Sequence, residues 1–215
     1  APVLATTYGD RAGWDASFRG GLLFRASDRV ALRAAAYSGL RLPTLNELYR
    51  PFVVFPVVTQ ANAALENERL EGFELGVDVT PAPGVGLSLT AFDNRVKNAV
   101  ANVTLDTNLR QRRNIDAVHA RGIEASISAT LGEVSFDASA AWTDAEAQGS
   151  GFAAALDGNR PSQTPRFVAG ATLAWRPAEN WLLSTTLRHV GAQFEDDLET
   201  DLLPAATTLD AFAQV

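Results

Sequence analysis

The sequence contains no cysteine, no methionine and only two histidines. Without cysteine there is neither a disulfide framework nor a thiolate metal site. The histidines, His119 and His189, are too few for a multi-histidine metal centre and stand far apart, so they read as interfacial or lumen residues. No apolar run approaches the roughly 18 residues that carry a helix through a bilayer, which excludes a helical membrane protein. There is no Gly-x-Ser-x-Gly and no His-Glu-x-x-His. Ser184 and His189 are five apart, which on one strand puts them on opposite faces. An enzyme is therefore not expected, and no cofactor is implied. Clustered cations are also scarce: 18 basic residues face 25 acidic ones, and a net charge of −7 argues against a nucleic-acid partner. The opening Ala-Pro-Val-Leu-Ala lacks the layout of a secretory signal, so the chain is expected to be an internal segment of a longer protein.

What remains is a chain of 215 residues, 47% hydrophobic yet of near-zero mean hydropathy, with its apolar residues set singly between polar ones. That is how a sheet with one apolar and one wet face is written. From Gly122 to Leu131 the odd positions Ile123, Ala125, Ile127, Ala129 and Leu131 alternate with Glu124, Ser126, Ser128 and Thr130. After Leu131-Gly132-Glu133 the pattern resumes through Val134, Phe136, Ala138, Ala140 and Trp142, which predicts a hairpin. Three more hairpins are predicted around Ser27-Asp28-Arg29, Pro81-Ala82-Pro83-Gly84 and Arg176-Pro177-Ala178-Glu179-Asn180. Beyond Ala91 the phase slips, with Phe92 and Val96 carrying the apolar face one residue out of step through a bulge or the end of a lipid zone. The stretches at about 39–67, 99–118, 146–163 and 191–206 keep no period and read as long loops.

Short turns alternating with long loops are the layout of an antiparallel transmembrane β-barrel. A soluble β-sandwich alternates in the same way and is the competing fold. Three features favour the barrel. Its apolar face is rich in alanine; its polar face carries Glu74, Asp78, Glu124, Asp137, Arg166 and Arg188; and Trp175 and Trp181 flank one short turn as an aromatic girdle would.

A series of short motifs points further. Arg41, Pro43, Glu47 and Leu48 sit in Leu40-Arg41-Leu42-Pro43-Thr44-Leu45-Asn46-Glu47-Leu48-Tyr49, and Asn62, Leu65 and Glu68 in Asn62-Ala63-Ala64-Leu65-Glu66-Asn67-Glu68. Leu87 to Phe92, Asn114, Gly122 with Glu124, Trp142-Thr143-Asp144-Ala145, Arg160-Pro161 with Pro165, and Gly191 to Asp197 follow. In this order they resemble the C-terminal β-barrel portion of TonB-dependent outer-membrane receptors, with Asn67 where that family usually has proline. The resemblance covers almost the whole chain. It implies an all-β fold, eight or nine strands of a barrel of about 22, with the ninth strand starting at Thr207-Thr208-Leu209-Asp210. Residues 1–215 would be a partial barrel region, lacking the N-terminal plug, the TonB-contacting segment and the last strands. Two open sheet edges would then need cover.

The resemblance also implies a bacterial outer-membrane location, lipid and lipopolysaccharide around the wall, the TonB complex as a partner through the missing region, and a small-molecule substrate, most readily a ferric siderophore, with cobalamin, carbohydrates and other metal chelates open. A surface barrel that binds or anchors a partner without transport is the alternative. Tyr49, Arg50 and Phe52, aromatic and basic at a loop tip, are candidate contacts for an organic chelate. Arg110, Arg112 and Arg113 are candidates for an anionic chelate or for lipopolysaccharide phosphate. Arg41 and Glu47 read as a structural ion pair at the rim. The acidic run containing Asp196, Asp197, Glu199 and Asp201 is a weak Ca²⁺ candidate without the glycine and spacing of an EF-hand, and otherwise reads as solvated loop charge.

Overall fold

In the computed structural model, which describes residues 9–215, alternation becomes a single antiparallel sheet. The reading of the first five residues lies outside the described residues. In chain order the elements are β1 (Arg19–Ser27), β2 (Val30–Arg41), helix α1 (Leu45–Tyr49), β3 (Phe52–Val54), β4 (Val57–Gln60), β5 (Glu68–Ala82), β6 (Val85–Lys97), β7 (Val100–Asp106) and β8 (Leu109–Asn114). They continue with β9 (Ala117–Leu131), β10 (Val134–Gln148), a 3₁₀ turn (Gly151–Leu156), β11 (Phe167–Trp175), β12 (Leu182–Val190), β13 (Gln193–Phe194), β14 (Leu202–Leu203) and β15 (Ala206–Gln214). Nine strands form the wall in the order β1-β2-β5-β6-β9-β10-β11-β12-β15, and its two edge strands, β1 and β15, do not pair. The wall is thus an open barrel segment, with the ninth strand where Thr207 to Asp210 placed it. No described helix is long and apolar enough to cross a membrane.

The register fixes the faces. Leu75, Ala91, Ile123, Trp142 and Phe167 lie opposite one another across five strands, and Gly76, Thr90, Glu124, Ala141 and Val168 form the next row on the other side. The first row belongs to an exposed apolar face, on which Leu75, Leu89, Leu173, Leu187 and Leu209 have no covering layer. A sandwich would bury these side chains, and leaving each in water rather than lipid forfeits on the order of 1.5–3 kcal/mol. Trp142 and Phe167 end this face at the loop end, and Trp175 ends it at the turn end with Trp181 just outside β12. A nine-residue strand such as β11, rising about 3.3 Å per residue and tilted about 40°, covers roughly 23 Å, close to the ~25 Å apolar band of such barrels. Past the band, Asp93, Arg95, His119, Arg121 and Asp144 continue the outer row as polar and charged groups, with His119 Nε2 2.9 Å from Asp93.

The opposite face is polar and internally bonded. Arg33 donates to Asp78 at 2.7 and 3.2 Å, to Ser88 at 2.9 Å and to Thr90 at 3.0 Å. One turn of pleat higher, the Tyr37 hydroxyl donates to Glu74 at 2.7 Å and lies 2.9 Å from Asn94 Oδ1. These side chains lie flat because glycine faces them: Arg33 crosses Gly76 and Tyr37 crosses Gly72. Such polar groups need partners away from bulk water, and cross-strand neighbours on one face supply them.

Two expectations change. The pairing of β6 with β9 runs from Val85↔Ala129 to Lys97↔Ala117 without a bulge, so the phase slip after Ala91 is not a displaced outer face. Phe92 is an inner-face residue opposite Gly122, and Val96, also on the inner face, packs against the core of the loops. The long stretches are not structureless either. They contain α1, β3, β4, β7, β8 and the 3₁₀ turn, and β3-β4-β8-β7 form a second sheet above the wall. Strands of three to seven residues are too short to declare a period in sequence. The tight turn at Gly132, φ +61°, lies in the left-handed region that a two-residue hairpin requires.

Candidate functional site

The loop end carries the candidate site, and its first element is a short helix set by its cap. Thr44 Oγ1 accepts the Glu47 N–H at 3.2 Å while the Glu47 carboxylate accepts the Thr44 N–H at 2.6 Å, a reciprocal capping box. Arg41, at the end of β2, donates to both oxygens of Glu47 at 3.1 Å and also to Glu68. Burial raises the Glu47 pKa, but the Thr44 N–H and the Arg41 guanidinium outweigh it and hold the carboxyl below its usual range. Glu68 in turn accepts the Val100 N–H at 2.6 Å, which ties the first loop to the second.

Asparagines complete that tie. Asn62 Nδ2 donates to the Arg112 carbonyl at 3.0 Å. Asn114 Oδ1 accepts the Glu66 N–H at 2.8 Å, and its Nδ2 donates to the carbonyls of Asn98 at 2.7 Å and Glu66 at 3.1 Å. Between them Leu65 is fully buried. Parallel pairing of β4 with β8, Val58↔Leu109 to Gln60↔Gln111, joins the same two loops through backbone.

The second loop packs on the third through a small apolar core of Ala99, Val103, Ile115, Ala147, Ala153 and Leu156. The third is bound to the fourth by Asn159 donating to the Asp197 carbonyl at 3.1 Å, the Arg160 N–H to Glu199 at 2.9 Å, and Gln163 to Glu195 at 3.2 Å. All four long loops are thus one connected assembly.

The predicted ligand residues divide within it. Arg112 donates to the Asn46 carbonyl at 2.5 Å and lies 4.9 Å over the Phe52 ring; Arg113 lies 4.5 Å over Phe152 and donates to Gln111. Both hold the loops together. The Arg110 side chain, in β8, makes no hydrogen bond or ion pair among the described residues, and Arg50 is exposed just past α1. Tyr49 is half-buried in α1, and Phe52 in β3 keeps 40% of its surface exposed. Phe52 therefore combines an accessible ring with the Arg112 contact.

The acidic run turns inward instead of gathering around a cation. Asp196, 7% exposed, accepts the N–H groups of Leu198, Thr200 and Asp201 at 2.9, 3.0 and 2.8 Å and the Thr200 hydroxyl at 2.9 Å. Asp197 and Glu199 accept backbone N–H groups of Ser162 and Arg160. Among the described residues no group of three or more His, Asp or Glu is placed to hold a metal ion. Burial raises the Asp196 pKa, but the four donors outweigh it and lower the value. A depressed carboxyl stabilises the loop fully above its unfolded pKa, about 4, and less as pH falls through the lower folded value. Exchange of the Thr200 and Asp201 amides, corrected for intrinsic rate, is therefore expected to accelerate only below about pH 4. Asp196→Asn should remove that acid step, and an unchanged profile would show that Asp196 does not close the loop.

Below the loops the wall encloses a concave trough of about 1130 Å³, lined by Asp78, Thr90, Glu124, Asp137, Thr172 and Arg188. The side chains of Glu124 and Asp137 have no hydrogen-bond or ion-pair partner among the described residues, whereas that of Arg188 pairs with Asp210 at 2.8 Å. Gly122 and Glu124 thus serve differently: the first admits Phe92 against the strand, and the second offers an unneutralised carboxylate to the trough.

Comparison with known proteins agrees with the fold. The model of the family described as TonB dependent receptor-like, beta-barrel matches residues 2–215. No curated protein sequence matches. Among solved structures, a mutant ferric enterobactin receptor of Pseudomonas aeruginosa superposes with a TM-score of 0.67 at 18% identity, over 91% of this chain and 32% of its own. The ferric preacinetobactin receptor of Acinetobacter baumannii gives 0.66 at 22%, over 90% and 28%. A copper transporter, OprC, gives 0.68 at 16%, over 89% and 29%. The chain spans about a third of the length of these structures.

Proposed function

The chain belongs to the TonB-dependent receptor family as part of its outer-membrane β-barrel, and from that premise we propose that it walls an importer for a scarce nutrient, most simply a ferric siderophore, driven by TonB. The family works by transport rather than catalysis. The observation that carries the reading is a family match over residues 2–215 joined to a polar trough beneath a bonded loop assembly. The ferric chelates named for similar structures support iron as cargo. Tyr49, Arg50, Phe52 and Arg110 are the loop residues proposed to meet the substrate, with Arg112 and Arg113 holding the surface they stand on. Lipid and lipopolysaccharide are the proposed neighbours of the outer face.

Uptake of radioactive iron presented as siderophore chelates, in iron-limited cells with and without the gene, tests this. Deletion should abolish uptake of at least one chelate, as should loss of TonB in cells that retain the gene. Unchanged uptake of every chelate, with expression indifferent to iron, would remove the siderophore reading.

A further inference from the structure

The Arg110 and Arg160 side chains both lack a hydrogen bond or ion pair among the described residues, and burial sets Arg160 apart. Its Nε is buried and has no hydrogen-bond partner among the described residues. The backbone N–H is satisfied by Glu199, and the guanidinium lies 5.4 Å from the Phe194 ring, but no described carboxylate comes within ion-pair distance. Arg41, Arg112 and Arg113, by contrast, all have acceptors.

The same side chain lines a cavity of about 180 Å³ where three loops meet, with Ala101 and Asn102 from the second, Leu156 from the third and Asp197 from the fourth. One side is apolar, formed by Ala99, Ile115 and Leu156 of the loop core. A buried donor left without an acceptor is costly, and more so when charged, so an orphaned guanidinium N–H marks a place where an acceptor belongs. A planar fork of donors beside an apolar floor matches a carboxylate on a short apolar body.

We propose that this cavity binds a carboxylate carried on a body of a few heavy atoms, with Arg160 as its anchor. The volume is below the ~300 Å³ at which drug-sized pockets begin, so a whole metal chelate does not fit. The carboxylate belongs either to a free small molecule or to one arm of the transported compound. Asp197 turns only Oδ1 to the Ser162 N–H, at 3.4 Å. Because Asp197 also lines the cavity, its carboxylate favours a ligand that carries a donor as well, so alanine should bind more tightly than acetate.

Equilibrium dialysis of the full receptor in detergent against radiolabelled L-alanine and acetate tests the site. One saturable site is expected, tighter for alanine. Arg160→Gln should weaken it about tenfold or more, a step of ~1.4 kcal/mol. Ala101→Leu, which fills the cavity and leaves Arg160 in place, should weaken it as much. Both variants are checked for the heat-modifiable gel mobility of a folded barrel, and the KM for chelate uptake is measured beside them. If neither probe binds but both substitutions raise that KM, the carboxylate is an arm of the transported molecule. If neither probe binds and the KM is unmoved in folded variants, water satisfies Arg160 and the proposal fails. Failure of wild-type iron uptake would overturn the transport reading alone, since alanine binding is read independently of it.

Discussion

Gly122→Val is expected to abolish the folded barrel, whereas Gly76→Ala, on the same face two strands away, leaves it assembled. A Cβ at position 122 would lie 2.2 Å from the Trp142 carbonyl oxygen and 2.7 Å from Phe92 Cζ. The ring can rotate, but the carbonyl belongs to the β9–β10 ladder and cannot yield without breaking it. Overpacking typically costs about 1–3 kcal/mol when side chains absorb it; here the backbone must, and the larger β-branched side chain adds to the demand. At Gly76 the nearest atoms, 2.8 and 2.9 Å away, are the end of the flexible Arg33 side chain. Heat-modifiable mobility of the two variants in outer-membrane preparations reads the difference. Adding Phe92→Ala to Gly122→Val should not restore folding, because the carbonyl contact remains. Restoration would show that the ring, not the ladder, requires glycine.

The second large effect is expected at Asn114, where Asn114→Ala should free the loops while leaving the wall intact. Three hydrogen bonds from one side chain join residues 66, 98 and 114. Removing them strands the partly buried Asn98 carbonyl, at about 1–3 kcal/mol where water fails to reach it, and the exposed N–H and carbonyl of Glu66, which water reaches at smaller cost. The connection is replicated by Glu68 and by β4 pairing with β8, so the loops should loosen without unfolding. Limited proteolysis is expected to nick residues 42–67 at least several-fold faster, with wall mobility on gels unchanged. If transport relies on the loop surface, chelate KM should rise while the maximal rate changes less. Equal protease resistance in mutant and wild type would show that the parallel strand pair alone carries the link.

The wall and the site differ in how far they can be read from sequence. Ile123 to Leu131 alternates so regularly because one face is apolar and the other polar, and each strand states that division by itself. The same rule located the hairpins and the girdle residues Trp175 and Trp181. It misled at Phe92, because alternation records polarity and not direction: an aromatic ring over Gly122 on the inner face looks like an outer residue out of step. Arg41 and Glu47 were legible as a pair because six residues and a capping box bring them together locally.

Arg112 and Arg113 show the other limit. As sequence they are exposed-looking cations in a loop; in the fold, rings from positions 52 and 152 lie beneath them. Arg160 carried no mark beyond its place before Pro161, since its orphaned Nε exists only where three loops close around it.

Ordered motifs that resemble TonB-dependent receptors pointed to an outer-membrane barrel, and the sequence by itself determined the antiparallel sheet, where its hairpins turn and most of the residues of its apolar face. These follow from period-two alternation and turn chemistry, and both act over neighbouring residues. Only the tertiary structure decided that the four loops are one assembly, that the acidic run binds its own backbone, and that a buried nitrogen of Arg160 is left unsatisfied among the described residues. The first and last depend on contacts between residues tens of positions apart, and Asp196 closes on donors just ahead of it in a turn that alternation of polarity does not record.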